Sequence, residues 1–305
     1  MEKTRSRSFL IILLTYILAL ITGIFVYNLT GSLWEIKGII PKIFIADTVA
    51  TIFVWLVGVY YKNSSVYDPY WSVAPPVIMI LLAFHLNLLD PGTIPASLVL
   101  LLAAVWFWGI RLTANWAYTF RDLGVQDWRY TKFRNDFPGI WQLINFFGIH
   151  YMPTLIVFFA MLPALVVMEN LHTSPDNVGP ANLLTFVGFT ISAGAALIQL
   201  LADRQLHSFR RTHAGSVCET GLWKYARHPN YSGEILMWWG VYLMSISVLP
   251  FHYWWTGIGA LLNTLMFLFI SIPLMENRQL ANKPEYASYR NRVSALTFVR
   301  KSTKT

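Results

Sequence analysis

Residues 10–27 read LIILLTYILALITGIFVY, eighteen residues without a charged side chain, and this stretch decides the fold class. A helix needs about 20 predominantly apolar residues to span the hydrocarbon core of a bilayer. Seven more apolar runs of similar length follow along the chain. The sequence therefore predicts an all-α, polytopic transmembrane helix bundle. Its eight expected spans are residues 10–27, 40–60, 73–90, 94–110, 148–168, 183–202, 235–250 and 253–274.

The composition also indicates a membrane domain. Of the 305 residues, 55% are hydrophobic and only 12% are charged, whereas soluble domains average about 25% charged residues. No polar linker separates the apolar runs, so we expect a single membrane domain over residues 1–305. The one cysteine, Cys218, cannot form an internal disulfide and offers no cysteine pair to a metal ion.

The basic residues fall in alternate loops. Lys and Arg number three in residues 1–9, one in 61–72, five in 111–147, five in 203–234 and seven in 275–305, and Lys37 and Lys42 are the other two. With eight spans, every basic loop lies on the same face, and the positive-inside rule then places both termini in the cytoplasm. The net charge of +8 is explained by this face. We therefore expect membrane lipid and no nucleic acid as a partner, in a bacterial inner membrane or the endoplasmic reticulum.

The most informative stretch, residues 221–234, reads GLWKYARHPNYSGE and joins a basic loop to the expected seventh span. Pro229 suits a helix start, and Asn230 or Ser232 can cap it. The free N–H groups of such a start attract a phosphate or a carboxylate. The alternative is that the residues around it only anchor a helix end at the membrane surface. The basic residues just before the start are Lys224, Arg227 and His228.

A polar stripe runs along the sixth expected helix. Gln199, Asp203, His207 and Arg210 recur at a spacing that places them on one helix face. An Asp can accept hydrogen bonds from ribose or amide groups, and a guanidinium can bind phosphate. The stripe therefore suits a nucleotide. A Rossmann fold is excluded, because the sequence has no strand pattern and no Gly-x-Gly-x-x-Gly fingerprint.

Residues 227–234, RHPNYSGE, resemble the C-terminal signature shared by steroid 5α-reductases, sterol C14 reductases and related bacterial membrane proteins. The resemblance covers roughly 183–300 well and the N-terminal half weakly. It implies an NADPH site lined by Asn230, Gly233 and Glu234, to which we add Tyr231. Asp203 and Arg210 match the family's Asp-to-Arg spacing, and Gln199 stands where the reductases have an Asn. A similar motif occurs in isoprenylcysteine carboxyl methyltransferases, so S-adenosylmethionine remains an alternative cofactor.

Two further cytoplasmic segments resemble parts of the same family. Residues 127–130, DWRY, are similar to an acidic element of the bacterial relatives, and residues 276–290 are similar to the closing segment that helps cover the cofactor. A surface-lying amphipathic segment is the alternative for residues 111–136. The basic end of the tail, Arg300, Lys301 and Lys304, suits lipid headgroups. The candidate cofactor contacts from these segments are Arg111, Arg121, Arg129, Glu276, Arg278 and Tyr286.

The candidate catalytic residues lie in residues 67–71, YDPYW. A carboxyl group near hydrocarbon tends to stay protonated and can then donate a hydrogen bond to a carbonyl oxygen. In steroid 5α-reductases a carboxylic acid before a Pro, paired with a Tyr, polarises the substrate ketone. The resemblance implies this role for Asp68, with Tyr67 or Tyr70 as its partner, because the family's Tyr falls at Trp108 here. The alternative is that Asp68 and the following Pro are an ordinary turn.

Two polar residues, Asp47 and His85, lie within expected spans. An intramembrane carboxyl group is a functional candidate by default, since placing it in hydrocarbon is costly. Asp47 lies away from the basic face of the protein. We expect a hydrogen-bonded structural role for it.

Together these patterns predict a membrane oxidoreductase that uses NADPH to reduce an activated C=C bond of a lipophilic enone, steroid-like or otherwise. The substrate would enter a monomer from the bilayer and the cofactor from the cytoplasm, with no metal. Residues 1–147 would hold the N-terminal spans and a substrate-side loop, and 148–305 the cofactor-binding part. One alternative is a methyltransferase that uses S-adenosylmethionine on a prenyl or phospholipid substrate. The other is a transporter, which the lack of an internal repeat disfavours.

Overall fold

A computed structural model describes residues 2–297. These residues form helices joined by turns, with one isolated β-bridge between Ala226 and Ser294, so the predicted all-α class is confirmed. The expected lipid contact of Arg300, Lys301 and Lys304 lies outside the described residues. The α-helices are α1 Glu2–Ser32, α2 Ile39–Tyr60, α3 Tyr70–His85, α4 Ala96–Thr119, α5 Trp128–Asp136, the single turn α6 Trp141–Leu143, α7 Met152–Thr173, α8 Leu183–Thr212, α9 Pro229–Ile246, α10 Ile258–Met266, α11 Ile272–Asn282 and α12 Tyr286–Arg292.

Seven helical segments of the described chain are long and apolar enough to cross a membrane. They contain seven of the eight expected spans, in whole or in large part, and most extend beyond the apolar run. The expected span 235–250 is not among these seven segments. It belongs to α9, which has only 18 residues and carries Asn230, Ser232 and Glu234 in its first two turns. The cytoplasmic location of both termini depends on α9 crossing the bilayer and stays a prediction. The seven segments are Thr4–Ser32, Ile39–Tyr60, Ser64–His85, Ala96–Thr119, Pro138–Thr173, Leu183–Thr212 and Phe251–Asn282.

The chain forms two compact units. Unit 1 comprises Met1–Ile94 and Leu112–Asn177, and unit 2 comprises Pro95–Arg111 and Val178–Thr305. Helix α4 therefore belongs to unit 2 up to Arg111 and to unit 1 beyond it. Each unit is described by itself below.

In unit 1, helix α1 packs along α2, and α7 packs against α2 and α3. The segment between α4 and α5 is tied to the end of α2. Asn63 Nδ2 donates to the carbonyl oxygens of Leu123 at 2.7 Å and Val125 at 3.1 Å. Asp127 then starts α5 by accepting a hydrogen bond from the backbone N–H of Arg129 at 2.8 Å. This loop is thus an ordered part of unit 1.

In unit 2, helices α8 and α9 form a hairpin with a very close approach. A Cβ added at Gly188 of α8 would lie 2.8 Å from the carbonyl oxygen of Gly240 and 2.8 Å from the backbone nitrogen of Met244. Ser192, one turn further along, donates to the carbonyl oxygen of Met237 at 2.8 Å. Small residues of this kind let membrane helices bring their backbones together. The polar residues of α8 and α9 are therefore brought close to each other.

The end of the described chain covers the start of α9. The backbone N–H of Arg227 donates to Ser294 O at 2.9 Å, and that of His228 donates to Ala295 O at 3.0 Å. Ser232 Oγ donates to Leu296 O at 2.7 Å. The tail thus gives acceptors to the two backbone N–H groups just before α9 and to a hydroxyl group in its first turn.

Replacing Gly188 with Ala should destabilise the protein, because the new methyl group meets backbone atoms that cannot move aside. We expect a loss of about 1–3 kcal/mol in the free energy of unfolding. Gly194→Ala on the same helix is the matched control, since a Cβ there meets nothing within 4 Å, and it should be neutral or slightly stabilising. Unfolding of the purified protein in detergent measures both variants. Equal stability of the two would contradict the close approach.

Candidate functional site

A buried polar cluster joins α4, α8 and the start of α9 in unit 2. Arg111 Nη1 donates to Asp203 Oδ2 at 3.0 Å, and Asn230 Nδ2 donates to Asp203 Oδ1 at 3.4 Å. The side chains of Arg111 and Asp203 are only 4% and 12% exposed. Each charge offsets part of the other's desolvation cost, so removing either one would leave a buried charge without compensation.

This cluster has more hydrogen-bond donors than protein acceptors. Arg111 Nε and Arg111 Nη2 are buried and meet no acceptor within residues 2–297. Gln199 Nε2 is buried beside the Glu234 carboxylate but has no hydrogen bond of ordinary geometry to a described residue. Gln199 lies one turn before Asp203 on α8 and is 1% exposed. A buried donor without a partner costs about 1–3 kcal/mol. A ligand that carries acceptor atoms would therefore stabilise the cluster.

Two tryptophans fix the carboxylate of Glu234, one turn beyond Asn230 on α9. Trp108 Nε1 donates to Oε2 at 2.8 Å, and Trp238 Nε1 donates to Oε1 at 3.0 Å. The two indole rings pack edge to face with centroids 4.9 Å apart. From the sequence, Trp108 was recognised only as a departure from the resembling family. Its position three residues before Arg111 on α4 could have placed it beside the site.

Gly233 is a point of close approach between α9 and α8. A Cβ at Gly233 would lie 2.5 Å from Gln199 Cγ and 2.6 Å from Ala195 O. The sequence predicts that this glycine lets a backbone or a ligand come close. In the structure the space beside it is filled by α8, and contact with a cofactor stays a prediction.

The expected polar stripe lies on a single continuous helix, Leu183–Thr212. Its members become more exposed toward the C-terminal end. Gln199 and Asp203 are buried, His207 is half-buried and Arg210 is exposed. The stripe therefore leads from the buried cluster to the surface of unit 2.

A group of positive charges surrounds the end of this stripe. Burial and the charge of Arg210, with a smaller contribution from Arg278, lower the pKa of Lys283. Lys283 Nζ donates to Ser216 O at 2.8 Å, which holds the ammonium group in place. Like charges gathered in this way repel one another, and an anion bound among them would relieve the repulsion.

Arg227 and His228 are engaged with the tail of unit 2. Arg227 Nε and Nη2 each lie 2.7 Å from Glu276 Oε1, and Nη1 donates to the carbonyl oxygens of Arg290 and Val293. Glu276 also contacts His228 Nε2 at 3.2 Å and Arg290 Nε at 3.0 Å. Burial lowers the pKa of His228 although a carboxylate lies beside it. These contacts favour a role for Arg227 in fixing the tail.

The remaining predicted residues of unit 2 lie around this network. Tyr231 stacks on His228, with ring centroids 5.1 Å apart and planes 7° apart. The hydroxyl group of Tyr286 is buried beside Arg227. Lys224 is exposed, with Nζ 5.9 Å from the ring centroid of Tyr225. Contacts from these three residues to a cofactor stay predictions.

The three candidate catalytic residues belong to unit 1 and have different partners there. Asp68 Oδ1 accepts a hydrogen bond from Tyr130 OH at 2.6 Å. Tyr67 OH lies 2.8 Å from Thr154 Oγ1, and Tyr70 OH donates to Asp47 Oδ1 at 3.0 Å. Burial and the Asp68 carboxylate raise the pKa of Tyr130 well above its ordinary value. Sequence reasoning assigned no role to Tyr130, which directly follows the predicted Arg129.

The two predicted arginines of unit 1 are more exposed than Arg111. Arg121 is exposed, and the side chain of Arg129 is 40% exposed. Arg129 Nε pairs with Asp127 Oδ1 at 2.8 Å. Contacts from either residue to a cofactor stay predictions. Among residues 2–297, no group of three or more His, Cys, Asp or Glu side chains could hold a metal ion.

Comparison with known proteins identifies the family. Residues 54–293 match the family described as "Protein of unknown function (DUF1295)". The chain belongs to the DUF1295 family. An uncharacterized protein of Schizosaccharomyces pombe is 25% identical over 268 residues, which cover 78% of this chain and 74% of that protein. No solved structure matches. The DUF1295 match includes the Arg111 cluster, Glu234 and the cations around Lys283.

Removing Arg111 should strongly destabilise this DUF1295 protein. Arg111→Met leaves the Asp203 carboxylate buried without its cation, and breaking a buried pair in this way costs about 3–5 kcal/mol. Arg292→Met is the control, because it breaks a pair with Glu219 in which both side chains are well exposed and should cost about 0–1 kcal/mol. Unfolding in detergent micelles compares the two. A similar small loss in both would show that the buried pair is not needed for stability.

The stability of the protein should fall in mild acid because of His228. Its pKa is lower in the folded protein than the ordinary value of about 6.5. The unfolded chain therefore binds more protons below that pH, and stability present above about pH 6.5 is lost as the pH falls. His228→Gln should lose less stability between pH 7.5 and 5.5, by on the order of 1 kcal/mol. The exposed-site variant His252→Gln should behave like the parent, and the same slope in all three proteins would contradict this assignment.

Proposed function

We propose that this protein is a membrane-embedded NADPH-dependent reductase of a lipophilic enone. The proposal rests on the Arg111–Asp203–Asn230 cluster, which has buried donors without acceptors in the described chain. The polar stripe runs from this cluster to a group of cations at the surface of unit 2. Such a site suits a ligand with neutral polar groups at one end and phosphates at the other. The residues present therefore fit a dinucleotide.

The buried end of the site favours neutral polar groups. The negative charges of Asp203 and Glu234 both stabilise the positive charge of Arg111. The cluster as a whole therefore carries no excess of positive charge. Asp203 and Asn230 can exchange hydrogen bonds with ribose hydroxyl or carboxamide groups. The spare donors of Arg111 and Gln199 can bind carbonyl or hydroxyl oxygens. We assign this end to the nicotinamide half of the cofactor.

The exposed end of the site favours phosphate. Arg210, Arg278 and Lys283 gather positive charge around the end of the stripe, and guanidinium groups bind phosphate through paired hydrogen bonds. S-adenosylmethionine carries one carboxylate and a positive sulfonium centre, so it gains less from three cations than a polyphosphate does. The charge distribution thus supports NADPH over S-adenosylmethionine. The resemblance of residues 227–234 to the reductase signature supports the same choice.

The reaction needs a hydrogen-bond donor at the carbonyl oxygen of the enone. The chemistry that NADPH supplies when bound is hydride transfer to the β-carbon, and a proton then completes the saturated ketone at the α-carbon. A preorganised donor that stabilises the developing oxyanion is typically worth a few kcal/mol. Asp68, with Tyr130 bonded to its carboxyl group, remains our candidate for that donor. Tyr67 and Tyr70 remain candidate partners.

The proposal predicts which cofactor binds and which cations hold it. Purified full-length protein in detergent is titrated with NADPH and, separately, with S-adenosylmethionine by isothermal calorimetry. We expect saturable binding of NADPH alone. Arg210→Gln and Arg278→Gln should each weaken NADPH binding by roughly 10- to 100-fold, because each removes a charge-assisted hydrogen bond of about 1.5–3 kcal/mol.

Arg204→Gln is the matched control for these variants. It removes one exposed cation from the same helix, one residue beyond Asp203 and off the stripe. It should leave NADPH binding unchanged to within about twofold, because a charge that lies off the stripe makes no direct hydrogen bond to the cofactor and is screened by salt. Saturable binding of S-adenosylmethionine without NADPH binding would replace the reductase with a methyltransferase. Equal weakening by Arg204→Gln and Arg210→Gln would show that only net charge matters.

A further inference from the structure

Unit 1 contains a cavity of about 760 Å³. It lies among α1, α2, α3 and the part of α4 near Trp116, and most of its lining side chains are apolar. Ligand pockets for molecules of drug or lipid size fall in the range of about 300–1,000 Å³. The cavity is therefore large enough for a fused-ring or long-chain lipid. Its lining includes Ile12, Ala46, Ala50, Val77, Ile78 and Leu82.

Among the polar side chains of the described chain that line the cavity, which include Asn28, His85 and Thr113, Asp47 carries the one carboxyl group. Asp47 lies in the middle of α2, within a membrane-spanning segment, and is 8% exposed. Its carboxyl group accepts a hydrogen bond from Tyr70 OH at 3.0 Å, and Tyr70 also lines the cavity. A carboxyl group at this depth is costly and is kept where it has a partner or a function.

Only one of the two carboxyl oxygens of Asp47 has a hydrogen-bond partner in the described chain. Tyr70 bonds to Oδ1, and within the described chain no Lys, Arg or His forms an ion pair with this residue. Oδ2 accepts no hydrogen bond from the described residues. Because Asp47 lines the cavity, a molecule inside it can supply the missing partner. A purely structural role would require only the bond to Tyr70.

We infer that Asp47 and Tyr70 form the recognition site for the carbonyl oxygen of a neutral lipid bound in this cavity. A carboxyl group that is protonated in hydrocarbon has one proton to donate from Oδ2, and a carbonyl oxygen is the acceptor that matches it. An ammonium group would instead require two desolvated ions with no further hydrogen bonds to support them. The inference names the substrate class of the reductase and in that respect rests on the proposed function.

This site shares Tyr70 with the candidate catalytic residues of the same unit but has a different carboxyl group. Asp68 is bonded to Tyr130 and, within the described chain, is not among the residues that line the cavity. We therefore assign Asp47 and Tyr70 to holding the lipid in the cavity before the chemical step, and Asp68 to the carbonyl oxygen during that step.

The test compares ketones with matched hydrocarbons. Full-length protein in phosphatidylcholine nanodiscs is equilibrated by dialysis with 4-androsten-3-one or 4-androstene, and with 2-heptadecanone or heptadecane. We expect one ketone to bind roughly tenfold more tightly than its hydrocarbon, since one hydrogen bond is worth about 1 kcal/mol or slightly more. Asp47→Val should abolish this preference and leave the affinity for the hydrocarbon unchanged. Tyr70→Phe, which alters the same pair more gently, should reduce it.

Asp90→Asn is the control, because it removes an exposed carboxyl group that lies between α3 and α4 and outside the cavity lining. It should keep the full preference for the ketone. Equal affinity for ketone and hydrocarbon in both pairs would overturn the inference, as would a preference that survives both Asp47→Val and Tyr70→Phe. Tighter binding of hexadecylamine than of either ketone would overturn it in favour of a cationic ligand. NADPH binding is measured on the same variants, so that failure at Asp47 and failure of the cofactor site give separate results.

Discussion

The cost of placing charge inside a membrane protein is the constraint on which this structure depends. Only 12% of the chain is charged, and the buried charges of unit 2 have ionic or hydrogen-bonding partners. Arg111 pairs with Asp203 and Arg227 with Glu276. The first pair joins α4 to α8, and the second joins the start of α9 to α11. Because a broken buried pair leaves an uncompensated ion, these two contacts fix the relative positions of four helices.

Close helix packing brings these charges together. The small residues between α8 and α9, such as Gly188, let two backbones approach so closely that Gln199 and Asp203 on one helix meet Gly233 and Asn230 on the other. A larger side chain at these contacts would separate the polar groups by more than hydrogen-bonding distance. The glycines therefore contribute to the site through packing. This explains why a polar cluster of this kind can form within a bundle of otherwise apolar helices.

Sequence reasoning located the helices and the polar residues of the cluster but not their partners. Apolar run length and helical spacing depend only on local order, so the spans and the stripe from Gln199 to Arg210 were predictable. The expected span at 235–250 was placed too late in the chain, because α9 begins at Pro229 and ends at Ile246. Trp108, Tyr130 and the engagement of Arg227 with the tail depend on contacts between residues far apart in the chain. Local patterns carry no information about such contacts.

Asp68 and Asp47 both belong to unit 1 but lie in different environments. This difference explains why we assign different roles to the same chemical group. Asp68 receives a short hydrogen bond from Tyr130, beside the ion pair of Asp127 and Arg129, so it lies in a polar and charged setting. Asp47 has a phenol as its one hydrogen-bonding partner in the described chain and faces apolar side chains. A carboxyl group bonded to a phenol in a polar setting is suited to moving a proton during a reaction. One surrounded by hydrocarbon is better suited to recognising a neutral oxygen, because it gains most from a hydrogen bond where no water competes for it.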